Sequence, residues 1–149
     1  PTKEIQSSNF EKWRYELEPV NTGTQGNYQI KVWSYDRTAD RALFKAKMNA
    51  VHGVLFKGFP SKNRIKGQRP IITNIGAEKE HEAFFDDFFS EEGDYINFVN
   101  LTNKGAIAPG DRLRVGNEYK VGVVVTVNVN SLRKHMEQNN IIKGLSDGF

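Results

Sequence analysis

Apolar residues recur at steps of three and four across residues 38–56, the spacing that places side chains on one face of an α-helix. Most of these residues are small: Ala39, Ala42, Leu43, Ala46, Ala50 and Val54. Because alanine is short, such a helix can approach a sheet closely. Thr38 is predicted to cap its N-terminus, and Gly58 with Pro60 prevents it from continuing. We expect the rest of the chain to be organised around this helix.

Apolar and polar residues alternate in four other segments, which predicts four strands. These segments are residues 10–17, 28–35, 95–102 and 118–129. The first is expected to end at Pro19 and to connect to the second through a glycine-rich loop over residues 21–27. The last strand is the clearest, because its odd-numbered valines all fall on one face. That valine face is predicted to lie against the helices.

Two further helices complete the predicted order. Residues 78–90 carry an aromatic stripe of four phenylalanines, and Asn130 or Ser131 is predicted to cap a last helix. The order β-β-α-α-β-β-α indicates an α+β fold with an antiparallel or mixed sheet and helices mainly on one face. We expect one domain over residues 1–149, in which residues 1–9 form a frayed lead-in.

The composition permits a folded core and restricts the chemistry. Hydrophobic residues make up 38% of the 149 residues, and ten residues are phenylalanine. The chain has no cysteine, which excludes disulfides and thiolate metal ligands. No run of about 18 apolar residues occurs, so no transmembrane helix is expected. Because the sequence starts at Pro1, we expect a leader to have been removed, as in an exported protein.

Charge is unevenly distributed, although the formal net charge is only +3. Residues 57–69 contain five bases and no acid, whereas residues 78–94 contain eight acids and one base. One interpretation is that the two segments face each other. The other is that the bases, interleaved with Phe56 and Phe59, bind a nucleic acid or another polyanion. The candidate polyanion-binding residues are Lys57, Lys62, Arg64, Lys66 and Arg69.

Aromatic residues occupy one face of each of the first two predicted strands. Trp13 and Tyr15 share a face of the first strand, and Trp33 and Tyr35 share a face of the second. One group is expected to enter the core and the other to lie outside. Trp33 and Tyr35 are candidate contacts for a partner protein or a glycan. The alternative is that they form cross-strand pairs without a ligand.

No set of residues has the spacing of a catalytic, metal or cofactor site. The histidines His52, His81 and His135 lack the i, i+4 spacing of a metal pair, and neither a P-loop nor a G-x-S-x-G motif is present. Adjacent acids at 86–87 and 91–92 would point about 100° apart on a helix, so they need not converge. His52 is expected near the C-terminal end of its helix, where the dipole favours a cation. We therefore expect no enzymatic activity, no cofactor and no bound metal.

Several segments carry a resemblance to a group of exported lipoproteins of gut Bacteroidetes. These segments are IKVWSY followed by AxxALFKAKMNAVHGVLFKGF, then APGDRLRVGNEYKVGVVVTVNVNSLRKHME and IIKGLSDGF. The resemblance covers residues 29–149. More remotely, the order of elements is similar to the small lipoprotein fold in the N-terminal domain of a flagellar T protein. The resemblance implies a cell-envelope location and supplies no catalytic residues.

Together these patterns predict an exported α+β domain in the periplasm or anchored to the outer membrane. The expected function is that of a non-enzymatic structural or protein-interaction module with a protein partner in the envelope. The alternative is the binding of a polyanion or a glycan, either through residues 57–69 or through surface aromatics.

Overall fold

The computed structural model describes residues 13–22, 26–102 and 106–144. Its strands are β1 Tyr15–Thr22, β2 Asn27–Asp36, β3 Val99–Leu101, β4 Arg112–Val115 and β5 Glu118–Asn128. Its α-helices are α1 Ala39–Phe56, α2 Ala77–Glu80, α3 Glu82–Phe88 and α4 Val129–Gln138. Two short 3-10 helices, Asp94–Phe98 and Pro109–Asp111, precede β3 and β4. The predicted lead-in over residues 1–9 lies outside the described residues.

All strand pairs in the described sheet are antiparallel, and β5 lies between β2 and two short strands. β1 pairs with β2, and β2 pairs with β5 along nearly its whole length. On the far edge of β5, β3 pairs with Val125–Val127 and β4 pairs with Glu118–Val121. The predicted α+β class is therefore confirmed, and of the two predicted sheet types, antiparallel or mixed, the sheet is antiparallel.

The core lies between the valine face of β5 and the alanine face of α1. Val121, Val123, Val125 and Val127 are buried. On the helix side, the buried small residues are Ala42, Ala46 and Ala50. The predicted packing of α1 on the valine face is confirmed. Thr38 caps the helix as predicted, because its hydroxyl accepts a hydrogen bond from the Arg41 N–H at 3.2 Å.

The end of α1 approaches β1 more closely than a side chain would allow. A Cβ atom on Gly53 would lie 2.2 Å from Cδ1 of Leu17 and 3.0 Å from Cε1 of Tyr15. Gly53 therefore has a packing role at this end of the helix. It admits the helix to the edge of the sheet, where β1 would otherwise collide with it.

The prediction of one continuous helix over residues 78–90 is wrong, because two helices occur there. His81 adopts φ −108° and ψ 36° and separates α2 from α3. Ala77 and Phe85 are both buried, yet positions eight residues apart differ by about 80° around a continuous helix. The break allows both side chains to enter the core.

The strand predicted over residues 95–102 is also wrong in extent. Asp94–Phe98 forms a 3-10 helix, and only Val99–Leu101 joins the sheet. A strand needs a partner for its backbone groups. In the register of β3 with β5, residues 95–98 would stand opposite residues 128–131, but β5 ends at Asn128 and α4 begins at Val129. The observed order therefore contains one more helix and one more strand than the predicted β-β-α-α-β-β-α.

Two observed element boundaries differ from the predicted ones for local reasons. β1 does not end at Pro19 but continues to Thr22 through a bulge between Pro19 and Asn21, which an edge strand tolerates because its outer N–H groups need no partner. Val129, expected in the last strand, begins α4 instead. The predicted caps of this helix, Asn130 and Ser131, are wrong. The cap of α4 is Asn128, whose side chain accepts a hydrogen bond from the Ser131 N–H at 2.9 Å.

Candidate functional site

Trp33 and Tyr35 lie on the face of the sheet opposite α1. In the register of β2 and β5, Trp33 stands opposite Gly122 and Tyr35 stands opposite Lys120. A Cβ on Gly122 would lie 2.7 Å from Cζ3 of Trp33. The indole therefore lies across the glycine, and both aromatic side chains are half-buried on the outer face. Tyr15, by contrast, is buried on the core side, so the two aromatic groups separate as the alternation predicts.

Charged side chains hold both aromatic residues in place. The Tyr35 hydroxyl donates to Glu16 at 2.5 Å, and Lys120 Nζ lies 3.0 Å from the same carboxylate. Cζ of Arg14 lies 4.2 Å from the centre of the Tyr35 ring, which is a cation–π distance. Trp33 Nε1 donates to Glu18 at 3.2 Å. We call Trp33, Tyr35, Arg14, Glu16 and Lys120 the outer aromatic patch.

Hydrogen bonds within the outer aromatic patch shift the pKa values of Glu16 and Tyr35 in opposite directions. Burial acts to raise the pKa of Glu16, but the hydrogen bonds from Tyr35 and Lys120 outweigh it and lower that pKa. Burial raises the pKa of Tyr35, and the bond to Glu16 raises it further. Both groups are thereby held in the protonation state that the network requires, with Glu16 as carboxylate and Tyr35 as phenol.

The basic segment folds as a small hairpin with its tip at Asn63 and Arg64. Isolated bridges join Phe59 to Gln68 and Lys62 to Ile65. Asn63 and Arg64 adopt φ 51° and 68°, the left-handed conformation of a tight hairpin turn. We call residues 57–69 the basic hairpin.

The five candidate bases of the basic hairpin are not equivalent. Lys57 Nζ lies 3.9 Å from the centre of the Tyr15 ring and donates to the Trp13 carbonyl at 3.3 Å. Lys62 pairs with Glu18 of β1. The remaining three are exposed and form no ion pair within the described residues: Arg64, Lys66 and Arg69. Within those same residues, no ion pair joins the basic hairpin to residues 78–94, so the two segments do not neutralise each other by direct pairing as one interpretation expected.

A buried histidine joins β1, α1 and α2. His52 is 3% exposed. Its Nδ1 lies 2.7 Å from the Tyr15 hydroxyl, and its Nε2 lies 2.9 Å from Oε2 of Glu78. Because a carboxylate can only accept, Nε2 is assigned as the donor, which leaves Nδ1 to accept from Tyr15. Trp13 stacks on the imidazole with ring centres 3.7 Å apart.

This histidine borders an open cleft of about 430 Å³. Its lining residues are Trp13, Arg14, Tyr15, Glu16, His52, Lys57 and Glu78. Burial raises the pKa of Tyr15, and the nearby Glu78 raises it further. Burial also lowers the pKa of Lys57, against the opposing influence of Glu78. The tyrosine therefore keeps its proton and cannot readily serve as a base or a nucleophile.

Sequence reasoning missed the Tyr15–His52–Glu78 network, because it placed His52 only by its distance from the helix end. One signal was present. His52 follows Asn49 by three positions and precedes Phe56 by four, a spacing that turns all three toward the same side of α1. The long-range partners of the imidazole, 37 and 26 residues away, carry no local signal.

Among the described residues, no group of three His, Cys, Asp or Glu side chains is arranged to hold a metal ion.

Comparison with known proteins identifies no relative of this chain. A scan against protein-family models and searches among curated proteins and solved structures find no match to this chain. Among the described residues, no helix has the length and apolar character needed to cross a membrane. The resemblance to exported lipoproteins remains a prediction from the sequence.

Proposed function

We propose that this domain is a non-enzymatic protein-interaction module of the cell envelope, and that the outer aromatic patch is its contact surface. The observation that carries the proposal is the set of Trp33, Tyr35 and Arg14 held in fixed positions on one sheet face. Tryptophan, tyrosine and arginine are the residue types most enriched at energetic centres of protein interfaces. Because these side chains are already ordered, a partner would bind them at a low cost in conformational entropy.

The non-enzymatic part of the proposal is supported by the chemistry of the His52 network. Its hydroxyl, imidazole and carboxylate are arranged like a catalytic triad, but a triad needs a nucleophile whose proton can leave. Burial raises the pKa of Tyr15 and so strengthens its hold on the proton. The network instead joins one strand and two helices, which is a structural role.

The envelope part of the proposal rests on the resemblance to exported lipoproteins. A lipidated cysteine preceding the domain would anchor it to a membrane and would bring the outer aromatic patch near other envelope proteins. Metabolic labelling of the producing cells with a radioactive fatty acid tests this point directly. Recovery of the protein without label, together with its presence in the cytoplasmic fraction, would contradict the envelope location.

The contact surface can be tested by crosslinking in intact cells. The full-length protein would be compared with Tyr35→Ala and with a matched control, Phe44→Ala. Phe44 is an aromatic residue on α1 that is 72% exposed, so its removal tests whether any exposed aromatic residue suffices. We expect a specific crosslinked partner that is lost in Tyr35→Ala and retained in Phe44→Ala, while circular dichroism shows both variants folded. Equal loss, or no crosslinked protein at all, would contradict the proposal.

A second candidate function, polyanion binding, is favoured by the three exposed bases of the basic hairpin that lack ion pairs within the described residues. A triple glutamine variant at Arg64, Lys66 and Arg69 would be compared with one at three exposed bases elsewhere. The control positions are Arg37, Lys79 and Lys134. Three contacts to a single-stranded nucleic acid predict a slope of about −2 for log affinity against log salt. A slope near zero, or equal binding by both triple variants, would exclude the basic hairpin as the site.

The glycan alternative receives less support from the geometry. A sugar binds an aromatic ring by stacking on an open face. Nζ of Lys31 and Nζ of Lys120 already lie 4.6 Å and 5.2 Å from the centre of the Trp33 indole. Sugar binding would require these cations to move away from the ring.

A further inference from the structure

The strand β4 (Arg112–Val115) lies at an edge of the sheet. It pairs with β5 on one side, and within the described residues its other side has no backbone partner. All four of its residues are exposed. Leu113 and Val115 are 43% and 44% exposed although they are apolar. An open edge of this kind is a template for an additional strand.

The opposite edge of the sheet, formed by β1, is less suited to an added strand than β4. β1 carries Pro19 and a bulge next to it, and both features disfavour the addition of a strand. β3 is only three residues long. β4 has neither a proline nor a bulge, and its register with β5 is regular over all four residues. It is therefore the edge best suited to accept another chain.

Two arginines on β4 determine what chemistry that chain would need. Arg112 and Arg114 point to the same side of the strand. Their guanidinium carbons lie 5.3 Å and 4.9 Å from the centre of the Tyr119 ring. Hydrogen bonding from Arg114 lowers the pKa of Tyr119, and the charge of Arg114 adds to the effect. No carboxylate of the described residues forms an ion pair with either arginine, so the positive charge here is uncompensated.

The arginines also disfavour a second copy of this chain at the same edge. If two β4 strands paired side by side, the arginines of one copy would stand near those of the other. Like charges in such positions destabilise the pairing. The carboxylates of an acidic segment would instead attract these arginines, and the pairing would be favourable.

We propose that β4 accepts an extended acidic segment of a partner protein as an added strand. In this arrangement, backbone hydrogen bonds supply the general affinity. Acidic side chains at alternate positions lie beside Arg112 and Arg114, and apolar side chains at the intervening positions lie beside Leu113 and Val115. The inference rests on the proposed function as an interaction module and gives the chemistry of its partner.

A synthetic peptide tests the proposal without knowledge of the natural partner. The probe is a fluorescein-labelled octapeptide that alternates glutamate with valine, titrated with the full chain and followed by fluorescence anisotropy. The matched control peptide replaces glutamate with lysine. The double variant Arg112→Gln/Arg114→Gln removes both charges, and Arg37→Gln/Lys134→Gln removes two exposed charges elsewhere. We expect the acidic peptide to bind, the lysine peptide not to bind, and affinity to fall at least tenfold only in the β4 double variant.

Backbone methylation separates strand addition from simple charge attraction. Two further versions of the acidic peptide carry N-methyl groups on the glutamates or on the valines. One set of amides must face β4, so one version should lose binding while the other retains it. If both methylated versions bind as well as the parent peptide, the site attracts anions by charge alone and the proposal is overturned. Equal weakening in both double variants also overturns it.

Failure of this inference can be told apart from failure of the proposed function. If the acidic peptide does not bind but a crosslinked partner still depends on Tyr35, only the β4 inference fails. If no Tyr35-dependent partner exists, the outer aromatic patch fails as a contact surface. Peptide binding at β4 is then judged from the anisotropy measurements alone.

Discussion

One buried polar pair lies between α1 and β2, and we predict how its replacement changes the stability of the protein. Asn49 and Ser34 are both buried, and the Asn49 amide donates to the Ser34 hydroxyl at 2.9 Å. Oδ1 of Asn49 has no hydrogen-bond partner within the described residues. Whichever way the amide is turned, one of its ends stays unpaired, and a buried unpaired polar group reduces stability.

Replacing one partner and replacing both should have opposite effects on stability. Ser34→Ala leaves both ends of the amide unpaired, so we expect the free energy of unfolding to fall by about 1–2 kcal/mol. Adding Asn49→Leu replaces the amide with a side chain of the same branching and the same number of heavy atoms. The double variant should then be at least as stable as the wild type, because replacing both partners of a buried hydrogen bond with apolar groups is often neutral or stabilising.

Urea unfolding followed by circular dichroism measures these differences. At this chain length, each kcal/mol corresponds to a shift in Tm of about 2–4 °C, so thermal unfolding provides a second readout. Ser131→Ala is the matched control, because Ser131 is exposed on α4 and its loss should change stability by less than about 0.5 kcal/mol. The reasoning is refuted if Ser34→Ala is no more harmful than the control. It is also refuted if the double variant is less stable than Ser34→Ala alone.

Three further predictions concern the surface. Lys62→Met removes the hydrogen bond that lowers the pKa of Glu18, so NMR titration should show a higher Glu18 pKa in the variant. A carboxyl whose pKa is lowered in the folded state stabilises the protein above its unfolded pKa, and this contribution is lost as the pH falls through the folded pKa. The wild type should therefore lose more stability on acidification than the variant. Gly122→Val should shift the indole N–H resonance of Trp33, because a Cβ there would lie 2.7 Å from the ring; an unmoved resonance would contradict the described packing. Phe44→Ser should leave the urea midpoint nearly unchanged, because Phe44 is 72% exposed, and a clear loss of stability would show that its ring is packed.

The elements that the sequence predicts best are those whose burial follows one period along the chain. Residues 38–56 were predicted as a helix, and α1 covers Ala39–Phe56. Residues 118–129 were predicted as a strand, and β5 covers Glu118–Asn128. These two elements bury their faces against each other, so the period of each reflects the same interface. Local pattern and tertiary contact agree there, and prediction succeeds.

Prediction fails where the outcome depends on a distant partner. The start of β3 is set by the point where β5 ends and α4 begins, and no local pattern of residues 95–102 contains that information. The same is true of His52, whose burial depends on Tyr15 and Glu78. The charge pattern of residues 57–69 also does not show which of its five bases form ion pairs. Long-range pairing with β1 occupies Lys62 and leaves Arg64 at the turn.

The close approach of α1 to the sheet explains why the candidate surfaces all lie at the periphery. Alanines fill the interface over most of the helix, and Gly53 brings its end against β1. A cleft opens where the small residues give way to larger ones, and there the aromatic rings of Trp13 and Phe56 pack against His52. Side chains that could meet a partner are therefore found on the outer face, at the basic hairpin and along β4. Because these three surfaces use different residues, single substitutions in each can separate their contributions without disturbing the common core.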